Sequence, residues 1–294
     1  MAIRPVKFKR ERGFLTFAQN TKETDYVRLA YGLALSIKAT QSQHAHLSIA
    51  VTPGQVIPEK YRWAFDEIID IPWVDEAKNS DWKLENEWKA YHLTPYKETI
   101  KLDADMLFLA DYSDWWDILA KNDISPTLNV QTYKNTVVTS DYYRKTFTSN
   151  GLPNVYSGFF FFKQSDAVLE FFDLIEQITH NWEMFSYEFL DNTRPAKFST
   201  DVAYALALKV IDNFGEYDTH INNCPTFVHM KSRLQNWNLG DLEENWMKYV
   251  GTYFTPELNL KVDLQTQYYP FHYHLKEFLT DEILDFLEDR VDAK

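Results

Sequence analysis

The sequence predicts an α/β protein: a mostly parallel central sheet flanked by helices, with a C-terminal extension. Three observations lead there. Between residues 14 and 71, short apolar runs rich in strand formers alternate with helically spaced ones, the rhythm of a parallel sheet covered on both faces. Further on, an apolar strand pattern runs directly into two aspartates, Asp103 and Asp105. The 294 residues are 45% hydrophobic and 25% charged, enough to bury a sizeable core without disulfide staples.

The elements follow in order. Phe14 to Ala18 (FLTFA) reads as the first strand. Val27, Ala30, Tyr31, Ala34 and Ile37 then recur at helical spacing within Tyr26 to Lys38. Leu47 to Val51 is a strand closed by the turn signal Thr52-Pro53-Gly54, a short helix follows Pro58, and Ile68 to Ile71 is a third strand. Lys83 to Leu93 reads as a helix ended by Pro95, and Thr99 to Leu102 as a strand delivering Asp103 and Asp105. Ser113 and Asp114 mark a helix start before Trp115. Residues 131 to 155 have no period and are expected to form an irregular, functional connection. Val155 to Lys163 (VYSGFFFFK) is a buried strand, followed by a helix to about Trp182. Ser199-Thr200-Asp201 is an N-cap cluster before an Ala-rich helix, Thr226 to His229 a last short strand, and Thr280 the start of a final amphipathic helix. One domain with an extension beyond about residue 240 is the expected organisation.

The formal net charge of −13 disfavours a nonspecific nucleic-acid binder, because like charges repel at long range. Lys7, Lys9, Arg10 and Arg12 crowd the N-terminal end and are expected to form a solvated face. The single cysteine, Cys224, can form no internal disulfide, which suits a reducing compartment. No signal-type apolar stretch opens the chain and no apolar run could span a bilayer, so a cytoplasmic protein without a membrane partner is expected. Aromatics reach 16%; most serve as core bulk, and exposed ones could stack on a sugar or a base.

Asp103 and Asp105 are the strongest local signal. They sit where a buried strand ends, and open α/β sheets bind ligands at the carboxyl ends of strands. In an extended stretch, side chains at i and i+2 point to the same side. Two crowded carboxylates repel, and a hard divalent cation offsets that repulsion.

Taken together, several segments resemble the glycogenin-like (family 8) glycosyltransferases of the GT-A fold, a Rossmann-like architecture. They are FLTFAQNTKETDYVRLAYGLALSIK, EWKAYHLTPYKETIKLDADMLFL, VYSGFFFFKQS, STDVAYAL and FVHMKSRLQNW, and the likeness covers roughly residues 14 to 238. The resemblance implies residues 1–240 as a nucleotide-sugar-binding catalytic domain and 241–294 as an extension packed on it. It implies Asp103, Asp105 and His229 as ligands of Mn2+ or Mg2+. Phe17, Ala18, Asn20 and Tyr26 would surround the base and ribose, with Asp103 and Ala104 beside them and Lys89 near the diphosphate. Ser157 and Gly158 would approach the donor sugar, Asp201 its hydroxyls, and Trp237 would keep its place near the donor. Tyr156 stands where the family has Asn, Val202 where it has Gln, and Gln235 where it has Lys. Lys231 or Arg233 would then supply the positive charge facing the leaving phosphate.

The expected reaction is transfer of a sugar from a nucleoside-diphosphate donor, such as a UDP-sugar, with the retention the resemblance implies. The acceptor is left open among a glycan, a protein and a modified base in DNA, and Tyr142, Tyr143, Arg144 and Lys145 are candidates to face it. A homodimer is compatible with the sequence. Two rival readings stand beside this one: a metal-dependent phosphoryl-transfer enzyme or nuclease, and a non-catalytic sugar-nucleotide-binding module.

Overall fold

The computed structural model describes residues 8–78, 80, 83–139, 144–191, 193–211, 224–231, 234 and 245–294. Its strands are β1 (Arg10–Phe17), β2 (Leu47–Val51), β3 (Ile68–Asp70), β4 (Tyr96–Leu102), β5 (Met106–Leu107), β6 (Ile124–Thr127), β7 (Tyr156–Lys163), β8 (Val228–His229), β9 (Thr252–Phe254), β10 (Leu260–Val262), β11 (Gln265–Thr266) and β12 (Phe271–His272). Its helices are α1 (Tyr26–Thr40), α2 (Glu59–Arg62), α3 (Ala90–Leu93), α4 (Trp115–Leu119), α5 (Lys145–Ser149), α6 (Asp166–His180), α7 (Trp182–Phe189), α8 (Thr200–Val210) and α9 (Asp281–Asp292).

Six strands form the central sheet in the order β3-β2-β1-β4-β7-β6. The pairs β3–β2, β2–β1 and β1–β4 are parallel, whereas β7 runs antiparallel to both β4 and β6. Alternation along β7 explains why both faces need cover. Phe159 and Phe161 join one core cluster with α1, whereas Phe160 and Phe162 join the other with α6 and α8. The sheet is therefore the middle layer of three, the arrangement expected for strands apolar on both sides.

Local chemistry fixes the element ends. The Asp25 carboxylate accepts from the Arg28 N–H at 3.1 Å and caps α1. Thr280 caps α9 in the same way, and Ser165 caps α6. The N-terminal cations are tied down by neighbouring acids. Arg10 pairs with Asp66 at 3.1 Å, and Arg12 bridges Glu98 at 2.7 Å and Asp117 at 2.8 Å. Lys7 lies outside the described residues.

The structure departs from the expected elements in three places. The helix expected over 83–93 is a 3-10 turn, Glu87–Lys89, followed by the single turn of α3. Lys83 takes a left-handed φ of 53°, which no helix accommodates. The strand β6 was not expected; its four residues, Ile-Ser-Pro-Thr, are too short to show a period. The third departure is the largest. Chain beyond residue 245 supplies β12, which lies between β5 and β8, with His272 beside Met106 on one side and His229 on the other. It also supplies α9, which packs on α1: Arg28 pairs with Asp281 at 2.7 Å and Tyr31 donates to Glu288 at 2.7 Å. Among the described residues, no helix is long and apolar enough to cross a membrane.

Candidate active site

A cleft of about 690 Å³ opens at the carboxyl ends of β1 and β4. Antiparallel β7 starts at that same edge, so Ser157 and Gly158 enter the cleft beside Asp103. A volume of this size suits a nucleotide-sized ligand.

Asp103 leaves β4 with its backbone N–H donating to the Gly158 carbonyl at 2.9 Å. Its carboxylate meets the Lys101 ammonium at 3.3 Å. Lys101 is itself buried, pairs with Glu87 at 2.5 Å and donates to the Ser157 carbonyl at 3.2 Å. Burial alone would lower the Lys101 pKa, but the Glu87 and Asp103 carboxylates outweigh it and hold the ammonium charged. Gly158 lets Asp103 approach closely here. A Cβ at that position would lie 2.8 Å from an Asp103 carboxylate oxygen. The close approach expected of Gly158 is thus made by Asp103 itself.

Asp105, two residues on, is buried and has different company. It accepts from His272 Nε2 at 3.0 Å and from the Lys276 ammonium. The same ring nitrogen lies 4.0 Å from Asp103, so the two carboxylates converge. Burial would raise the Asp105 pKa, but His272 and Lys276 outweigh it and hold the carboxyl well below its ordinary range. Parallel pairing of β8 with β12 stacks the His229 and His272 rings at 4.6 Å with nearly parallel planes. His274 follows in a left-handed conformation, φ 61°. Burial, with Lys231 and His272 nearby, pushes its pKa down to about 3, so it is neutral at ordinary pH.

Ligand atoms of Asp105, His272 and His274 lie within 4.8 Å of one another. This donor set fits a divalent cation: one ionised carboxylate and two imidazoles. The His272 Nε2 faces Asp105, and its Nδ1 is a buried atom with no hydrogen-bond partner in the structure. The expected third ligand, His229, is outside this grouping. It lines the cleft one strand away, stacked on His272, and burial first drives it well below the usual histidine range. Asp103, Asp105 and His229, the ligand set expected from the sequence, all line the cleft, and β12 brings His272 and His274 to Asp105 as a second possible donor set.

At the far wall, Asp201 enters from the first turn of α8. One carboxylate oxygen accepts from the Ser157 N–H at 2.8 Å and its hydroxyl at 2.7 Å, and the other from Arg144 at 2.6 Å. Burial would raise its pKa; Arg144 and Ser157 lower it further than burial raises it. The Arg144 guanidinium is clamped between the Phe147 and Tyr156 rings, 3.8 and 3.9 Å from their centroids. Tyr156, which departs from the family pattern, therefore holds the arginine that orients Asp201. Arg144 is itself a wall of this cleft, not only a surface cation toward an acceptor.

The cleft gathers most of the other expected residues: Phe17, Tyr26, Ala104 and Lys231 all line it. Three do not. Ala18 is fully buried, with its N–H bonded to the Ala50 carbonyl at 2.8 Å. Asn20 turns its side chain to the start of α1, accepting from the Val27 N–H at 3.0 Å. Lys89 is buried on the opposite side of the 3-10 turn from Glu87, donating to the Val74 carbonyl at 2.5 Å and Asn86 at 2.7 Å. The ammonium beside the aspartates is Lys101 instead. Arg233, Trp237, Tyr142 and Tyr143 lie outside the described residues, as does Gln235.

Sequence reasoning missed Lys101, His272, His274 and Lys276. The last three were legible as a pattern: FHYHLK places His, His and Lys at i, i+2 and i+4, one side of an extended stretch.

No family model matches the chain, and no curated protein matches it. Solved structures do resemble it. The galactosyltransferase LgtC, in complex with donor and acceptor sugar analogs, is 11% identical with a TM-score of 0.46, over 67% of this chain and 70% of that one. The glycosyltransferase GlyE of Streptococcus pneumoniae TIGR4 is 11% identical with a TM-score of 0.45, over 97% of this chain and 64% of that one. Mouse xyloside xylosyltransferase 1 is 11% identical with a TM-score of 0.42, over 68% and 82%. Likenesses this distant assign no activity or ligand to this chain.

Proposed function

We propose that the chain is a glycosyltransferase that takes a sugar from a nucleoside-diphosphate donor, UDP being the first candidate, with retention at the anomeric carbon. The observation that carries this is convergence. Paired carboxylates from the end of β4, two imidazoles from the β12 segment, the Arg144–Asp201 pair and the ammonium groups of Lys101, Lys231 and Lys276 meet in one cleft at the edge of the sheet.

The chemistry is the loss of a diphosphate from an anomeric carbon, and the leaving group gathers negative charge. Asp105, His272 and His274 would hold a divalent cation, Mn2+ or Mg2+, which supplies charge neutralisation for that group. Lys231 lines the same space and adds positive charge. Tyr26 and Phe17 form the apolar wall suited to a base. Asp201 is kept ionised by Arg144 and faces the cleft beside Ser157, where it accepts from sugar hydroxyls. Residues 1–240 and 241–294 act as one catalytic unit, because both contribute to this wall. The acceptor is a glycan, a protein or a modified base, approaching over the stretch that contains α5.

A thermal-shift screen of nucleoside diphosphates and their sugars, with and without Mn2+, tests the reading. A UDP compound with Mn2+ should stabilise the fold by about 2.7 kcal/mol at about 100 times its Kd. The Asp103→Asn, Asp105→Asn double variant should lose that response. If no nucleoside diphosphate shifts the unfolding of the unmodified protein, the transferase reading fails.

A further inference from the structure

The Asp105 carboxylate has two calls on it: it is one of three grouped side chains that could hold a cation, and it is also the partner of Lys276. Lys276 follows His274 by two residues, at the start of a 3-10 turn (Lys276–Phe278), so the same short segment carries two imidazole ligands and an ammonium. That ammonium takes the same Asp105 oxygen that accepts from His272. Asp103 has its own ammonium in Lys101. The two aspartates are thus each neutralised by a lysine before any cation arrives.

We propose that Lys276 is a tethered counter-ion of Asp105, and that a divalent cation binds at Asp105, His272 and His274 only as Lys276 withdraws from the carboxylate. The inference rests on reading the cleft as a divalent-cation site. The physical reason is like-charge exclusion. An ammonium touching the ligating carboxylate lies within a few Å of any ion on that carboxylate, and the carboxylate is buried where water screens poorly. Withdrawal is sterically open. The Lys276 side chain is 29% exposed, and its ammonium lies 5.7 Å from the Tyr26 ring centroid, on the cleft side. A diphosphate in the cleft offers the withdrawn ammonium a new partner. Cation and nucleotide should therefore bind with positive coupling, and the lysine is the element that couples them.

The test is a Mn2+ titration followed by the electron paramagnetic resonance signal of free Mn2+, on the full chain, with and without UDP. Lys276→Met should bind Mn2+ alone about tenfold tighter than the unmodified protein, since its competitor is gone. Lys276→Arg, which keeps the charge, should stay near the unmodified value. UDP should tighten Mn2+ binding in the unmodified protein and much less in Lys276→Met. Lys276→Gln serves the same comparison if the Met variant fails to fold, as judged by circular dichroism. Equal or weaker Mn2+ affinity in the neutral variants, or no Mn2+ binding in any form, overturns the proposal. Failure of UDP to bind any form, with the Mn2+ difference intact, sinks the transferase reading alone.

Discussion

Asp103 and Asp105 are two residues apart, yet they live in different worlds. Asp103 is served locally. Its ammonium partner, Lys101, comes from its own strand, its N–H is held by Gly158 on the neighbouring strand, and its side chain is 30% exposed. Asp105 is served from far away. Its side chain is 7% exposed, and its partners, His272 and Lys276, are 167 and 171 positions along the chain. Strand spacing was enough to deliver both carboxylates to one cleft. What each one meets there was decided by the β12 segment folding back between β5 and β8. A pair that reads as symmetric in sequence is a partly exposed carboxylate beside a buried one.

The largest expected effect tests that asymmetry directly. Asp105→Asn leaves the Lys276 ammonium and the His272 donor facing a neutral amide in a buried site. Breaking a buried pair in this way costs about 3–5 kcal/mol. Asp103→Asn should cost less than about 1 kcal/mol in stability, because its carboxylate is partly solvated, while losing about 100-fold or more in turnover. Urea unfolding of both variants beside the unmodified protein reads the difference. Equal destabilisation would show that the two aspartates are not distinct.

The next effect is in acid. His274 is half-buried and neutral, with a pKa of about 3 against an ordinary value of 6.5. Between those values the unfolded chain binds a proton that the folded chain refuses, so stability falls as pH drops from about 6.5 toward 3. Asp105 and Asp201 have the carboxylate sign: their depressed pKa values add stability above the ordinary Asp range, lost as pH falls through their folded values. Unfolding free energy measured against pH should decline in two stages. His274→Gln should make the upper stage shallower, leaving the share of His229 and the other depressed histidines, and should leave the lower stage unchanged. A slope between pH 6.5 and 4.5 unchanged in His274→Gln would remove His274 from the account.

The smallest effect on stability concerns the exposed member of the pair. Gly158→Ala places a methyl 2.8 Å from the Asp103 carboxylate, which can yield because it is partly exposed. We expect a loss of about 1 kcal/mol or less in stability, within the range of a single overpacked methyl, with a disproportionate weakening of UDP–Mn2+ binding. Calorimetric titration of the purified variant measures the second quantity, and unchanged affinity would detach Asp103 from the ligand.

The expected strands, the central helices and the aspartate pair were legible because each is a local pattern. The FLTFA and LSIAV runs carry their strand character in consecutive residues, and α1 carries its apolar face in a 3.6-residue period. The residues misjudged are those whose environment contradicts their type. Lys89 and Lys101 are charged yet buried, and only their carbonyl and carboxylate partners make that tolerable. No local pattern distinguishes the one that faces the aspartates from the one that faces away.

By itself, the sequence determined the α/β layering and the placement of Asp103 and Asp105 at a strand end; the expectation that Gly158 and Asp201 join them came only from the family resemblance. The layering and the placement follow from periods of two and 3.6 and from the rule that open sheets present their carboxyl ends to ligands. Only the tertiary structure decided which histidines and which lysines stand beside the aspartates. That choice rests on the two-residue strand β12, whose pairing with β5 and β8 joins segments separated by more than forty and more than one hundred and sixty positions, as the register of His272 with His229 and Met106 records. Contacts of that span are set by which surfaces can be buried together, and no short stretch of sequence encodes that balance.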